Sequence, residues 1–331
     1  MGVLVTGGAG YIGSHVLLEL QAIGEPIVVL DDFSTGFREN IPAGVRLIEG
    51  SAGDAALLDR IFADGGIDTV IHLAAALIVP ESVREPEKYY RNNTFNACTL
   101  FSACAKAGVK NIVFSSTAAV YGDTGKGQVS EADTPAPVSP YGRSKLATEW
   151  ILEDMAAALD LNFVALRYFN VAGADPLGRT GQRSPNATHL IQVACEAALG
   201  KRSALHVFGT DYPTKDGAGV RDYIHVSDLA KAHIAALKGL RTGAVKRERL
   251  NCGYGRGYSV FDVIGAVERA TGRTVPVVIA PRRPGDLAEV VADCARIRAM
   301  LDWTPERADI DLIVRDTVRW YEGRLNAVAS R

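Results

Sequence analysis

Short runs of consecutive apolar residues alternate with amphipathic segments through the N-terminal half of the chain. Such runs predict buried strands, and the amphipathic segments between them predict helices. The predicted strands cover residues 3–5, 26–30, 45–48, 69–73, 111–115 and 162–168, and the predicted helices cover residues 11–23 and 57–63. Buried strands separated by helices are typical of a parallel sheet covered on both faces. The pattern therefore predicts an α/β fold with a doubly wound parallel sheet of the Rossmann type.

The pattern changes after about residue 173. Residues 175–185 are rich in Gly, Pro, Ser and Arg and predict an irregular loop. Beyond it we predict a helix at 188–199, a strand at 221–226, a helix capped by Ser227 or Asp228 that runs to about 238, and an amphipathic helix at 310–321. We place the first domain at residues 1–175 and a smaller mixed α/β C-terminal lobe at residues 176–331. The chain is expected to return to the first domain near residues 220–250.

The composition of the chain argues against several classes of binding partner. The formal net charge of −2 gives no basic field for nucleic acid and no polybasic anchor for a membrane. No apolar run approaches the roughly 20 residues that span a bilayer. The 5 cysteines show no CxxC pair, which favours reduced thiols over a disulfide framework or a metal site. We therefore predict a cytoplasmic protein that binds no nucleic acid, no membrane and no metal.

Glycines 7, 10 and 13 lie between the first predicted strand and the first predicted helix. This spacing permits a tight turn and lets a diphosphate approach the free N–H groups of the helix N-terminus. Asp31 ends the second strand, where a carboxylate accepts hydrogen bonds from a ribose 2′-hydroxyl and repels a 2′-phosphate. The pattern favours NAD over NADP. The alternative is that Asp31 or Asp32 merely caps a turn.

Tyr141 and Lys145 are four residues apart in a predicted helix and therefore share one face. A nearby ammonium and a positive nicotinamide ring both favour a phenolate, so we expect Lys145 and the NAD ring to lower the pKa of Tyr141 and make it a general base. Thr117 follows the fifth strand, at the sheet edge where ligands bind in this fold class, and offers a hydroxyl to the reacting oxygen. The alternative for Thr117 is a turn residue that bonds only the backbone.

The glycine pattern, the Ser115-Ser116-Thr117 strand end and the Tyr-x-x-x-Lys motif together resemble the extended short-chain dehydrogenase/reductase family. The similarity runs nearly end to end and is greatest to the UDP-sugar 4-epimerases of that family. It includes the blocks at residues 70–75, 89–93, 166–170, 219–226 and 281–286.

The resemblance implies a role for each matching position. Tyr141 would be the base, Lys145 its modulator and Thr117 its hydroxyl partner. Besides these three, the implied NAD contacts are Gly7, Gly10, Tyr11, Ile12, Gly13, Asp31, Asp32, Phe33, Ser34, Thr35, Gly36, Ser51, Ala52, Leu73, Ala74, Ala75, Leu77, Asn92 and Phe169. Besides Thr117 and Tyr141, the implied substrate contacts are Asn170, His189, Leu190, His206, Val207, Phe208, Arg221, Arg283, Asp286 and Val290.

Two positions depart from the family pattern. Ser51 stands where many relatives have an aspartate, and Leu77 where some have a lysine near the diphosphate. Both changes remove a polar contact that the family makes with its cofactor. We therefore expect weaker retention of NAD.

The resemblance implies an NAD-dependent isomerase, in homodimeric form, that interconverts UDP-galactose and UDP-glucose through a 4-keto sugar. The C-terminal lobe would then bind the UDP-sugar. Alternatives are a 4-epimerase of UDP-N-acetylhexosamines, for which the modest side chain of Val290 leaves room, or an enzyme acting on UDP-glucuronate. Dehydration is disfavoured because Ala118 and Ala119 stand where dehydratases carry an Asp-Glu pair. A non-enzymatic NAD-binding sensor is the alternative from another class.

Overall fold

The fold is given by a computed structural model that describes residues 1–183, 188–283 and 285–329, with side chains through residue 324. Residues 184 and 185 of the predicted loop and Pro284 of the block at 281–286 lie outside the described residues. In the described ranges the strands are β1 (Gly2–Thr6), β2 (Ile27–Asp31), β3 (Arg46–Glu49), β4 (Ile67–His72), β5 (Asn111–Thr117), β6 (Gln128–Val129), β7 (Asn162–Tyr168), β8 (Asn170–Ala172), β9 (Leu205–Phe208), β10 (Val220–His225), β11 (Arg247–Cys252), β12 (Gly257–Ser259), β13 (Val277–Ala280) and β14 (Glu289–Ala292).

The helices cover both faces of the main sheet and build the second lobe. They are α1 (Tyr11–Ala22), α2 (Ala55–Ala63), α3 (Val79–Arg84), α4 (Pro86–Tyr89), α5 (Asn96–Ala107), α6 (Pro140–Leu159), α7 (Leu190–Ala198), α8 (Val226–Thr242), α9 (Val260–Thr271), α10 (Ala295–Met300) and α11 (Ile310–Ala329). A π-helical segment, Tyr90–Phe95, joins α4 to α5. None of the helices within the described ranges is long and apolar enough to cross a membrane.

Seven strands form one parallel sheet in the order β11-β7-β5-β4-β1-β2-β3. The predicted doubly wound α/β fold is confirmed. The strand order reverses beside β1, and in such sheets ligands bind outside the carboxyl ends of the strands at that reversal. The edge strand β11 comes from the C-terminal half of the chain.

The second lobe is mixed. Strand β10 pairs in parallel with β8 and β14 and antiparallel with β12, while β9 and β13 form a separate parallel pair. One hydrophobic cluster runs from Val3 and Val5 of the main sheet to Trp320 and Tyr321 of α11. The N-terminal and C-terminal halves of the chain therefore contribute to one continuous core.

Local capping sets the helix that carries the Tyr-x-x-x-Lys motif. Helix α6 starts with Pro140 in its first turn, and the Ser139 hydroxyl accepts a hydrogen bond of 3.2 Å from the Gly142 amide. Proline at this position needs no amide partner, and serine is a favoured N-cap. The start of α6 is therefore encoded locally, one residue before Tyr141.

The predicted cap of α8 is wrong. His225 is the N-cap, and its Nδ1 accepts a hydrogen bond of 3.0 Å from the Ser227 amide. Ser227 and Asp228 already lie inside the helix, and the Asp228 carboxylate instead accepts the Tyr254 hydroxyl at 2.6 Å. Asp228 thus bonds Tyr254, a residue distant in sequence, instead of capping the helix as local preference predicts.

Candidate active site

A cleft of about 1910 Å³ opens at the carboxyl ends of the central strands. Most of the predicted site residues line it, together with several that the sequence did not indicate. The predicted cofactor contacts in its walls are Gly7, Gly10, Tyr11, Ile12, Gly13, Asp31, Asp32, Phe33, Ser34, Thr35, Gly36, Ser51, Ala52, Leu73, Ala74, Ala75, Leu77, Asn92, Thr117, Tyr141 and Phe169.

The glycine turn leaves no room for side chains. Gly7 has a φ of +75°, and a Cβ there would lie 2.6 Å from the Ala74 nitrogen. A Cβ on Gly13 would lie 2.2 Å from the Gly7 carbonyl oxygen. Gly10 caps α1 without a side-chain hydrogen bond. The first turn of α1 therefore presents bare backbone N–H groups to the cleft, the chemistry that holds a diphosphate.

The Asp31 carboxylate is buried and braces this turn. Its Oδ2 accepts the Ala9 amide at 2.9 Å and its Oδ1 accepts the Phe33 amide at 2.9 Å. Burial raises the pKa of Asp31, and the two amide hydrogen bonds oppose that shift. Each oxygen keeps a lone pair for a ribose hydroxyl. Both aspartates also cap turns, because Asp31 bonds the Phe33 amide and Asp32 Oδ1 accepts the Ser34 amide, each at 2.9 Å.

Thr117, Tyr141 and Lys145 come together where β5 ends against α6. The Thr117 side chain faces that of Tyr141 and opposes the rise of its pKa, and the Thr117 hydroxyl accepts the Ala119 amide at 3.1 Å. The Lys145 ammonium donates to the Ser115 carbonyl at 2.9 Å and lies 5.0 Å from the centre of the Phe114 ring. Thr117 is therefore a turn residue and a partner of Tyr141 at once. Lys145 is only 1% exposed, beneath the cleft surface.

The expected lowering of the Tyr141 pKa by Lys145 and a nicotinamide ring together stays a prediction. Burial raises the pKa of Tyr141, and only the hydrogen bond with Thr117 opposes that shift. Burial also lowers the pKa of Lys145 to about 7, against the attraction of Glu149. A lysine that loses its proton near neutral pH is a weak source of positive charge. Further positive charge in the cleft is needed before Tyr141 ionises.

A buried polar network packs beneath the cluster of Thr117, Tyr141 and Lys145. Arg167 of β7 forms a two-pronged ion pair with Glu149 of α6, with N–O distances of 3.0 and 2.6 Å. The Ser116 hydroxyl donates to the same carboxylate, and Arg167 also donates to the Tyr121 hydroxyl at 3.0 Å. The sequence analysis missed these residues because an isolated Glu or Arg in a helix or strand gives no signal of its partner.

The predicted substrate contacts divide into two groups. Asn170, His189, Arg221, Asp286 and Val290 line the cleft, whereas Leu190 lines a small pocket that adjoins it. The remaining four lie apart from the cleft lining. Val207 is buried in the core, His206 is exposed and stacks on Phe208 at 6.1 Å, and Arg283 lies over Phe208 at 4.5 Å while pairing with Asp286 at 2.9 Å.

Other residues in the cleft wall were missed. His72 ends β4 much as Thr117 ends β5, and its Nδ1 lies 2.7 Å from the Thr6 hydroxyl. Its position at a strand end was the available signal. Phe37, Asn40 and Arg183 line the wall near the glycine turn, in loops whose contacts no local pattern indicates.

The site has no obvious metal centre. In the part of the chain that the structure describes, no three His, Cys, Asp or Glu side chains are grouped so as to hold a metal ion. All 5 cysteines are free thiols.

Comparisons with known proteins agree with the sequence motifs. A family model described as "NAD dependent epimerase/dehydratase family" matches residues 3–253. The chain is 55% identical to a UDP-glucose 4-epimerase of Azospirillum brasilense over 96% of this chain and 91% of that protein. It superposes on the UDP-glucose 4-epimerase of Brucella ovis in complex with NAD with a TM-score of 0.93, at 41% identity over 96% and 97% of the two chains. For the Bifidobacterium longum UDP-glucose 4-epimerase in complex with NAD+ and UDP, the TM-score is 0.92 at 37% identity, over 98% and 99% of the chains. The resemblance inferred from the motifs is thereby confirmed.

Burial of Lys145 predicts a pH-dependent cost to stability. Its pKa is about 7 in the folded protein and about 10.4 in an unfolded chain. Between these values the unfolded state binds more protons, so the free energy of unfolding rises with pH. We expect Lys145→Met to be most stable relative to wild type below pH 7, and this advantage to shrink as the pH rises towards about 10.4.

Urea denaturation of both proteins across this pH range measures the difference. Lys110→Met is the control, because Lys110 is exposed and pairs with the exposed Asp160. A Lys145→Met advantage that stays constant with pH would contradict the lowered pKa.

Proposed function

The chain belongs to the NAD dependent epimerase/dehydratase family, and from this premise we propose that it interconverts UDP-galactose and UDP-glucose by transient oxidation at C4 of the sugar. The observation that carries the proposal is the meeting of Thr117, Tyr141 and Lys145 beside a glycine turn, in one cleft that also contains Arg221. The UDP-glucose 4-epimerases that the chain resembles over nearly its whole length support the same substrate.

The cleft suits NAD. The glycine turn would hold its diphosphate through backbone N–H groups, and the Asp31 carboxylate would accept a ribose 2′-hydroxyl. The same carboxylate would repel the 2′-phosphate of NADP. Bound NAD supplies a reversible hydride acceptor for C4 of the sugar.

Tyr141 is the group that exchanges a proton with the 4-hydroxyl. Its side chain faces that of Thr117 at the carboxyl edge of β5, and both residues line the cleft. Because burial favours the neutral phenol, proton removal depends on positive charge gathered in the site. Lys145, fixed by the Ser115 carbonyl, contributes its share of that charge while protonated. In the return step Tyr141 gives the proton back to the sugar oxygen.

Epimerisation needs a firmly held diphosphate and a sugar that can turn. Arg221 on β10 faces the cleft next to Val290 on β14, its partner in the strand register. A guanidinium makes two-pronged hydrogen bonds to phosphate, so Arg221 suits the anchor. Val290 presents a small apolar surface beside it. An apolar wall makes no directional hydrogen bonds with the sugar hydroxyls and so leaves the ring free to rotate.

Proton NMR of UDP-galactose with purified protein, without and with added NAD, tests the activity and its cofactor requirement. We expect a mixture with UDP-glucose and no net NADH. Tyr141→Phe should reduce turnover by about 10²-fold or more, because it removes the acid–base group, while NAD binding stays within about twofold of wild type. A wild-type protein that binds NAD without converting UDP-galactose would move the assignment to UDP-glucuronate, N-acetylated sugars or a sensor. An unchanged rate in Tyr141→Phe would overturn the mechanism.

We also propose turnover of N-acetylated sugars, because Val290, a residue of modest size, lines the cleft beside Arg221. We expect wild type to equilibrate UDP-N-acetylgalactosamine and Val290→Tyr to lose most of that activity while retaining UDP-galactose turnover. Val290→Leu is the matched control with an intermediate volume. Equal effects of Val290→Tyr on both substrates would contradict a role in sugar selection.

A homodimer is the assembly we propose. Two large apolar side chains are exposed on neighbouring elements. Phe95 (68% exposed) ends the π-helical segment before α5, and Trp150 (57% exposed) lies on α6. Large exposed apolar side chains on adjoining helices favour burial against a second copy of the same surface.

Sedimentation velocity of Phe95→Asp combined with Trp150→Asp should show a monomer where wild type shows a dimer. Leu177→Asp is the control, since Leu177 is 77% exposed on a different loop. A dimer that persists in the double variant would refute this interface.

The cytoplasmic location stays a prediction, which cell fractionation would test.

A further inference from the structure

We propose that Arg183 binds the diphosphate of the dinucleotide from the wall of the cleft beside the glycine turn. The inference rests on the proposed function only in requiring that the cleft hold a dinucleotide. Arg183 comes from the loop between β8 and α7, a part of the chain that follows the main strand–helix alternation.

The Phe37 side chain lies between Arg183 and the glycine turn. Its guanidinium carbon lies 5.7 Å from the centre of the Phe37 ring and 5.5 Å from that of Trp320. The Phe37 amide donates to the Ala9 carbonyl at 3.1 Å, and the Asn40 side chain donates to the same oxygen at 2.8 Å. Phe37 and Asn40 are therefore fixed to the turn, and Arg183 packs on the outer side of Phe37 within the same cleft.

The charge of Arg183 is poorly neutralised. Its nearest carboxylate is Glu39, at 3.6 Å and with 72% of its side chain exposed. The Nε of Arg183 is buried and finds no hydrogen-bond acceptor among the described residues. Two other cations in the cleft wall have closer carboxylate partners, since Lys88 pairs with Glu81 and Arg91 with Glu87, each at 2.8 Å. A partly desolvated guanidinium with a free donor attracts an anion more strongly than a fully paired one.

A dinucleotide diphosphate supplies the matching anion. Its phosphate oxygens carry two negative charges, and the glycine turn offers them only neutral backbone donors. A guanidinium has five N–H donors in one plane. Contact with the Phe37 and Trp320 rings limits the orientation of that plane, so less conformational freedom is lost on binding. Burial and the nearby Arg324 also lower the pKa of Arg183, against the attraction of Glu39, and a bound anion would oppose that shift.

Calorimetric titration of NAD-free, full-length protein tests this assignment with three probes. ADP-ribose carries the diphosphate, adenosine lacks it, and UDP carries the diphosphate of the other ligand. We expect Arg183→Gln to raise the dissociation constant for ADP-ribose by roughly tenfold or more. Binding of adenosine and UDP should stay within about twofold of wild type, and Arg183→Lys should be intermediate because it retains charge but not the planar fork.

Arg38→Gln is the matched control for loss of one positive charge. Arg38 lies 4.3 Å from the Phe33 ring, but it is ion-paired with Glu49, so its removal should leave ADP-ribose binding unchanged. An Arg183→Gln protein with unaltered ADP-ribose affinity would overturn the proposal. Equal weakening for adenosine, or weakening confined to UDP, would overturn it too, by assigning Arg183 to loop structure or to the substrate diphosphate. Failure of wild type to bind ADP-ribose would refute the proposed function instead.

Discussion

The buried ion pair between Arg167 and Glu149 is the interaction on which the catalytic corner depends. It ties β7 to α6, and Ser116 brings the end of β5 to the same carboxylate. Two charges taken out of water are tolerated only when both are fully hydrogen-bonded, and breaking such a pair leaves an uncompensated charge in the core. The pair thus fixes the distance between Thr117 on β5 and Tyr141 on α6, whose relative position the chemistry requires.

The cleft combines neutral and charged donors for its two predicted diphosphate ligands. Backbone N–H groups at the start of α1 serve one side, while arginines from the C-terminal half reach into the same space. A chain with a net charge of only −2 has no overall field to hold anions. Affinity for the diphosphates must therefore come from a few guanidinium groups close to the phosphate oxygens, where limited solvent screening strengthens each interaction.

The protonation state of Tyr141 depends on burial as well as on motif spacing. The i,i+4 spacing correctly places Tyr141 and Lys145 on one helix face, but it does not indicate how deeply either is buried. Burial raises the pKa of the phenol and lowers that of the ammonium, so the uncharged form of each group is favoured. The base is therefore conditional on further positive charge.

The sequence by itself determined the parallel α/β sheet, the glycine turn, the helix start at Ser139 and Pro140, and the identity of the Thr-Tyr-Lys set. These features depend on periodicity, backbone sterics and local capping, which act over a few residues. Three contacts were decided only by the tertiary structure. Arg167 pairs with the Glu149 carboxylate, His225 rather than Ser227 caps α8, and Arg183 lies beside Phe37. Those contacts join residues distant along the chain, and burial, which sets their strength, is a property of the packed core.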